Sequence, residues 1–332
     1  MTTGHGELRW GIQATGAIAA AFAQGLRAVG GARLTAVGSR TVEGADRFAD
    51  QWGIPNRHGS LAGLAADPDV DVVYVATPHP AHHTATLACL EAGKHVLCEK
   101  PLAMNIRQAT EMVEAARRNE RFLMEAMWTR FAPATRAIKR LVDDGAIGEL
   151  RVLNADFGNA VPYDPRHRIW APELGGGALL DLGVYPIALA SFFLGELTVV
   201  GATGHRAPNG VVDAQAAVVV VGAAGATGLL SCSLEAPLPN RVALAGTLGR
   251  IEFDRWWCPT EFTLHRNGRD PESFVFPHRA NGYEYEAEEV AARIAEGALE
   301  SPLMSWDESL RVTAVLDEVR ARLGVVYPAD AG

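Results

Sequence analysis

Apolar residues in the first third of the chain fall into short runs separated by longer stretches with helical spacing. Residues 8–13 read as a strand, 17–29 as a helix, 34–38 as a second strand and 42–52 as a second helix. Further strands are expected at 70–76, 95–98 and 122–126, with helices at 81–92 and 106–119 between them. Five strands alternating with helices predict a parallel, doubly wound sheet. After Gly148 the pattern changes. Alternating or β-branched runs at 150–157, 214–221, 227–234 and 241–245, joined by Gly-containing turns, predict a mainly antiparallel sheet. Helices at 178–193, 283–297 and 306–323 cover one of its faces. The other face has no evident cover, so a homodimer through this sheet is expected. The boundary falls near residue 126, giving an α/β domain over 1–126 and an α+β domain with an open sheet over 127–332.

Composition narrows the classes of partner. The 332 residues are 48% hydrophobic and 21% charged, within the range of a globular protein. A net charge of −9 with scattered arginines argues against a nucleic-acid surface, so the partner is expected to be a small molecule. Cys89, Cys98, Cys232 and Cys258 show neither C-x-x-C pairing nor zinc spacing, and read as reduced thiols. The polar stretch 1–7 runs straight into a strand, and no 18-residue apolar run suggests a membrane span, so a cytoplasmic protein without membrane contact is expected.

Between the first strand and helix lies Gly11-Ile12-Gln13-Ala14-Thr15-Gly16-Ala17-Ile18-Ala19. Aligned to G-x-G-x-x-G/A, Ala14, Gly16 and Ala19 take the three small-residue positions. Gly16 is the critical one, because a side chain there would hold the backbone away from a pyrophosphate at the helix N-terminus. This turn predicts a Rossmann dinucleotide-binding domain, with Gly11, Ile12, Ala14, Thr15, Gly16, Ala17 and Ile18 lining the cofactor. The second strand ends in Gly38-Ser39-Arg40-Thr41, with no carboxylate to hold a ribose diol. Arg40 can pair bidentately with a 2′-phosphate and Ser39 lies beside it, so NADP is expected over NAD.

Two further segments should reach the same crevice at the carboxyl ends of the parallel strands. One is Ala76-Thr77-Pro78-His79-Pro80-Ala81-His82 and the other Cys98-Glu99-Lys100-Pro101. Lysine occurs only at 94, 100 and 139 among 30 basic residues, and a lysine kept against so strong an arginine bias suggests proton chemistry. Farther on, Asp181 and Tyr185 follow the glycine run 175–177 at a four-residue spacing that puts both on one helical face. His79, His82 and His83 have no carboxylate or cysteine cluster to complete a ligand set, so no metal is expected.

Together with the glycine loop, these segments resemble the glucose-fructose oxidoreductase and inositol dehydrogenase superfamily. The segments 122–131, 175–185 and Trp257-Cys258-Pro259-Thr260-Glu261 look like the dimeric dihydrodiol dehydrogenases, a group that includes NADP-dependent D-xylose dehydrogenases. The similarity runs from Leu8 to about Pro328. It implies that Lys100 and the Asp181/Tyr185 pair flank a nicotinamide. Tyr185 would accept the hydroxyl proton, Lys100 would ease phenolate formation or bond the substrate oxygen, and Asp181 would orient substrate or lysine. Many relatives carry histidine in place of Tyr185, which leaves tyrosine and lysine both open as the base. The resemblance also implies cofactor contacts from Thr77, His79, His82 and Glu99. Trp128, Phe157 and Trp170 are candidates for an apolar wall against a ring-shaped substrate, and Arg168 for reaching cofactor phosphates or a substrate oxygen.

The expected activity is NADP-dependent hydride removal from a hydroxyl-bearing carbon of a cyclic sugar or trans-dihydrodiol. The alternatives are a relative that oxidises its substrate only transiently, as in epimerisation or glycoside cleavage, and an NADP-sensing regulator. Retention of Lys100, Asp181 and Tyr185 argues against the regulator, which needs only the cofactor loop.

Overall fold

Six parallel strands form the first sheet in the computed structural model, which describes residues 7–331. They are β1 (Leu8–Gln13), β2 (Ala32–Gly38), β3 (Asn56–His58), β4 (Val72–Val75), β5 (His95–Glu99) and β6 (Leu123–Ala126), in the order β3-β2-β1-β4-β5-β6. Helices α1 (Ala17–Leu26), α2 (Val42–Trp52), α3 (Leu61–Ala65), α4 (His82–Glu91) and α5 (Ile106–Arg118) connect them. The run Val72–Val75 is buried on both faces, as a parallel strand between helical layers must be. On α1 the buried residues Ala19, Phe22, Ala23 and Leu26 form one stripe, and the Phe22 ring stacks on Tyr74 of β4 at 3.8 Å. The strand order reverses between β1 and β4. That reversal opens a crevice at the carboxyl ends, which carry the loops after β1, β4 and β5.

The second sheet has eight strands: β7 (Leu150–Gly158), β8 (Leu197–Arg206), β9 (Asp213–Gly222), β10 (Thr227–Ser233), β11 (Arg241–Gly246), β12 (Gly249–Asp254), β13 (Glu261–Arg266) and β14 (Glu272–Val275). Their order is β14-β13-β12-β11-β7-β10-β9-β8, antiparallel throughout except for the β7/β10 pair. Helix α6 (Pro133–Asp143) precedes this sheet, and α7 (Val184–Leu194) packs against β7, β8, β9 and β10. The opposite face is open: Asn154, Asp156, Thr203, Val219, Leu229 and Ser231 line a shallow concavity, with Val219 and Leu229 exposed.

Three expectations change. The first sheet has a sixth strand, β3, too short and polar to read as one. The helical stretch Pro172–Leu194 is long and apolar enough to cross a membrane by composition, although no such run was expected. It is the core helix of its unit, because 89% of its apolar window is buried inside the protein. The chain also divides differently from a single cut at residue 126. One compact unit holds the described residues up to Ala103, Arg107–Trp128 and Arg279–Ser309; the other holds Met104–Ile106, Thr129–His278 and the described residues from Leu310. Thus α8 (Glu284–Ala295) belongs with the first sheet. Asn281 donates to the Ala21 carbonyl at 2.8 Å, and Gly25 of α1 comes so close that a Cβ there would lie 2.8 Å from Tyr283. On edge strand β6, Leu123 N–H donates to Leu299 and its carbonyl accepts from the Trp306 indole, both at 3.0 Å. These bonds satisfy an edge that would otherwise expose backbone.

Candidate active site

The turn after β1 has the shape that a pyrophosphate requires. Ala14 holds φ of 108°, a conformation that costs a non-glycine residue roughly 1–3 kcal/mol. Gly16 is the extended N-cap of α1 with no side-chain cap, and a Cβ built on it meets nothing within 4 Å. The first-turn N–H groups of α1 therefore face open space at the positive end of the helix dipole. Thr15, Ala17 and Ile18 lie on this loop and first turn. At the end of β4 the Thr77 hydroxyl oxygen is buried without a partner. Gln13 at the end of β1 likewise leaves its buried side-chain oxygen unpartnered. These features fit a dinucleotide. Arg40 is exposed and makes no ion pair among the described residues, and Ser39 lies next to it. Gly11 and Ile12, expected to line the cofactor, are instead buried within β1. A Cβ on Gly11 would stand 3.0 Å from Leu64 and 3.1 Å from Val70, so this glycine serves packing.

Lys100 is half-buried at the end of β5, and its surroundings are fixed from several strands. Its backbone N–H donates to one Glu99 oxygen at 3.2 Å, and the other Glu99 oxygen accepts a short bond from the Tyr74 hydroxyl. The loop continues through a cis Lys100–Pro101 bond to Leu102, whose N–H donates to Glu125 at 3.0 Å. Burial, reinforced by Glu99, holds the fully buried Glu286 carboxyl well above the usual carboxylate range, and neither of its oxygens has a hydrogen-bond partner among the described residues. His82, expected to contact cofactor, commits both ring nitrogens to backbone carbonyls, those of Pro101 and Thr77, each at 2.9 Å. It clamps the loops after β4 and β5 to each other, and burial lowers its imidazole to about 4, keeping it neutral. His79 is buried edge-on to it at 5.7 Å. Trp128, half-buried, stacks on Tyr283 at 4.4 Å.

In the second unit, residues Leu179–Gly183 form a π-helical turn leading into α7. Asp181 sits inside this turn and Tyr185 in the first turn of α7, both largely buried. Such wide turns recur at functional sites. The turn modifies the regular helical spacing assumed from the sequence. Its first residue is anchored by Asp213 of β9, which accepts from Leu179 N–H at 2.6 Å. Burial raises the Asp213 carboxyl to about 6. Arg168 donates to Asp181 at 3.1 Å, so its first role is to hold that carboxylate. Phe157 meets Tyr185 edge-on at 5.4 Å and lies flat on Trp257 at 4.5 Å, with 6° between the rings. Trp170, expected in this wall, is instead a core residue of the 159–176 loop, with its indole donating to Pro162 at 3.1 Å.

Comparison with known proteins agrees with this geometry. Residues 8–127 match the model of an oxidoreductase family with an NAD-binding Rossmann fold, and 135–252 match the GFO/IDH/MocA C-terminal domain. The chain belongs to the GFO/IDH/MocA oxidoreductase family. It is 38% identical to the trans-1,2-dihydrobenzene-1,2-diol dehydrogenase of Sus scrofa, over 97% of this chain and 99% of that protein. The Danio rerio enzyme of the same name is 40% identical, over 98% and 99%. Among solved structures, KijD10, a 3-ketoreductase from Actinomadura kijaniata in complex with NADP and TDP-benzene, superimposes with a TM-score of 0.86 at 31% identity. The match covers 95% of this chain and 98% of that one. This family member is an oxidoreductase with an N-terminal NAD(P)-binding fold. The Tyr74 bond and buried Glu286 of the first unit, and the Asp213 anchor and Trp257 stack of the second, were not foreseen. Only Trp257 carried a local signal, in the segment 257–261.

Proposed function

We propose that this protein uses NADP to oxidise a hydroxyl-bearing carbon of a cyclic sugar or trans-dihydrodiol, with Lys100, Asp181 and Tyr185 as its proton-handling and orienting groups. The observation that carries the reading is the buried Asp181/Tyr185 pair beside the flat Phe157–Trp257 stack. It joins a carboxylate and a phenol to an aromatic surface suited to a ring. Bound NADP supplies hydride acceptance. The open first turn of α1 binds the pyrophosphate, and Arg40 pairs with the 2′-phosphate. Tyr185 takes the hydroxyl proton, Asp181 orients the substrate, and Lys100 favours the oxyanion as it forms. Near-full-length similarity to dihydrodiol dehydrogenases and the NADP-bound ketoreductase support the substrate class and the cofactor.

The protein acts as a homodimer through the open sheet face, a reading supported by the exposed Val219 and Leu229. Four cysteines outside any disulfide support a cytoplasmic location. The test is a panel of sugars, polyols and dihydrodiols with NADP, followed at the nicotinamide absorbance. On the best substrate, Lys100→Met should lower kcat by at least about a hundredfold while NADP affinity stays unchanged. Near-normal turnover in that variant, or no substrate anywhere in the panel, defeats the reading.

A further inference from the structure

Three of the four cysteines are sealed in the core. Cys89 and Cys98 are fully buried and Cys232 nearly so. Burial pushes the Cys89 thiol up to about 12 and the other two well above the ordinary range, so all three stay protonated and inert. Cys258 differs in its burial. It is half-exposed, and its Sγ lies 2.9 Å from Nε2 of His278, which is itself half-exposed. The pair is held by backbone from two directions. Cys258 sits in the connection between β12 and β13, where its N–H donates to Arg255 at 3.1 Å. His278 follows β14, and that segment is pinned across the same connection by Phe276 N–H donating to Thr260 at 2.6 Å and by the stacking of Phe276 on Phe262. The same Nε2 lies 3.4 Å from the Cys258 carbonyl, so the imidazole is held against this residue, placed to accept the thiol proton as the sulfur attacks.

The surroundings select the electrophile. Trp257, adjacent in the chain, is stacked flat on Phe157, and its carbonyl accepts from Thr129 at 2.7 Å, so a planar conjugated molecule finds an aromatic pair at the residue next to Cys258. The geometry points to Cys258, with His278 as its base, as a site of covalent modification by small α,β-unsaturated carbonyl compounds. The sulfur forms a bond to the alkene carbon β to the carbonyl, and the π pair of the C=C bond shifts toward the carbonyl as an enolate. The proton held on His278 then quenches the enolate. Nothing leaves and no net oxidation occurs. The adduct lies next to Trp257, so it also disturbs that ring. The assignment does not depend on the proposed reaction, and its readouts do not use turnover.

The probe is N-ethylmaleimide, with adducts located by peptide mass spectrometry of the full chain and Trp fluorescence recorded alongside. Wild type should take up one equivalent at pH 7, at Cys258, with a fluorescence change that is absent in Cys258→Ser. The rate should fall at least about tenfold in His278→Asn. Its pH profile should flatten well below the value of about 8.5 expected of a free thiol. Reaction at another cysteine, an unchanged rate in His278→Asn with the other three thiols still protected, or a wild-type rate that climbs with pH like a free thiol would each overturn the assignment. A His278→Asn variant that unfolds would reveal itself by labelling all four cysteines, and the wild-type pH profile then decides.

Discussion

Gly16 at the N-cap of α1 and Gly11 within β1 lie five residues apart, yet the structure gives them opposite duties, and substituting alanine at each separates binding from folding. At Gly16 the φ of −81° and ψ of −177° suit any L-residue, and the added Cβ meets no protein atom within 4 Å. The fold should register only the loss of a good N-cap, about 1 kcal/mol or less. The same methyl stands where the backbone must approach a pyrophosphate. Losing one charge-assisted hydrogen bond of roughly 1.5–3 kcal/mol corresponds to about a 10- to 150-fold weaker dinucleotide affinity. At Gly11 the methyl meets Leu64 at 3.0 Å and Val70 at 3.1 Å, inside a buried strand. Overpacking of that kind costs about 1–3 kcal/mol of stability without touching the phosphate site. Thermal melts of the cofactor-free proteins and titration of NADP by fluorescence measure both quantities. Gly16→Ala should leave Tm nearly unchanged and raise Kd, while Gly11→Ala should lower Tm and leave Kd alone. An unaltered Kd in Gly16→Ala would mean that no phosphate lies against this turn, and the cofactor assignment would fail with it.

The remaining predictions concern the ribose end, a buried carboxyl and the sheet face. Arg40→Ala should weaken NADP binding by roughly 1.5–3 kcal/mol in a binding titration with little effect on NAD; equal losses for both would remove the 2′-phosphate role. Asp213, raised by burial to about 6 from an ordinary 3.8, contributes most stability when protonated below its unfolded pKa, and loses that contribution as pH rises through about 6. Asp213→Asn keeps the acceptor for Leu179 without the charge, so denaturant melts should show the variant gaining about 2 kcal/mol relative to wild type between pH 4 and pH 7; a constant difference refutes the burial argument. Leu229→Glu should convert the proposed dimer to a monomer in sedimentation, and a wild type that already sediments near 35.4 kDa excludes a dimer.

How far the chain could be read in advance follows from what each signal depends on. Strand β1 and helices α2 and α9 (Trp306–Leu323) begin and end where the pattern places them, because their periodicity is local and strong. Strand β3 is three half-polar residues with no pattern, and it exists only because β2 offers an edge. The pairing of α8 with the first sheet was equally invisible. Its apolar stripe shows that it needs a cover, but the cover, α1, lies more than 250 residues earlier in the chain. Of the residues proposed for the site, Lys100 stands out in the sequence by a compositional bias and Gly16 by a spacing. Trp170 misled because an aromatic residue near a glycine run looks the same whether it faces substrate or core. His82 shows a duty no local motif announces, because both of its nitrogens are on carbonyls and join two loops.

Two residues that escaped the sequence, Tyr74 and Asp213, share one physical trait: each orients a segment that carries a group of the proposed chemistry. Tyr74 fixes Glu99, which in turn accepts the N–H of Lys100, and Asp213 holds the first residue of the turn that carries Asp181. Each tether places a polar group in an apolar interior, where it stabilises only if its partner is present. Local motifs therefore name the proposed reacting groups, while a constraint on the segments that carry them comes from strands 25 to 34 residues distant, as the Tyr74–Glu99 and Leu179–Asp213 bonds show. A substitution at Tyr74 or Asp213 touches no expected motif, yet it loosens one of the two segments on which the proposed chemistry rests. Transition-state stabilisation depends on groups held in place before the reaction begins, so such a substitution should reduce kcat before it reduces cofactor affinity.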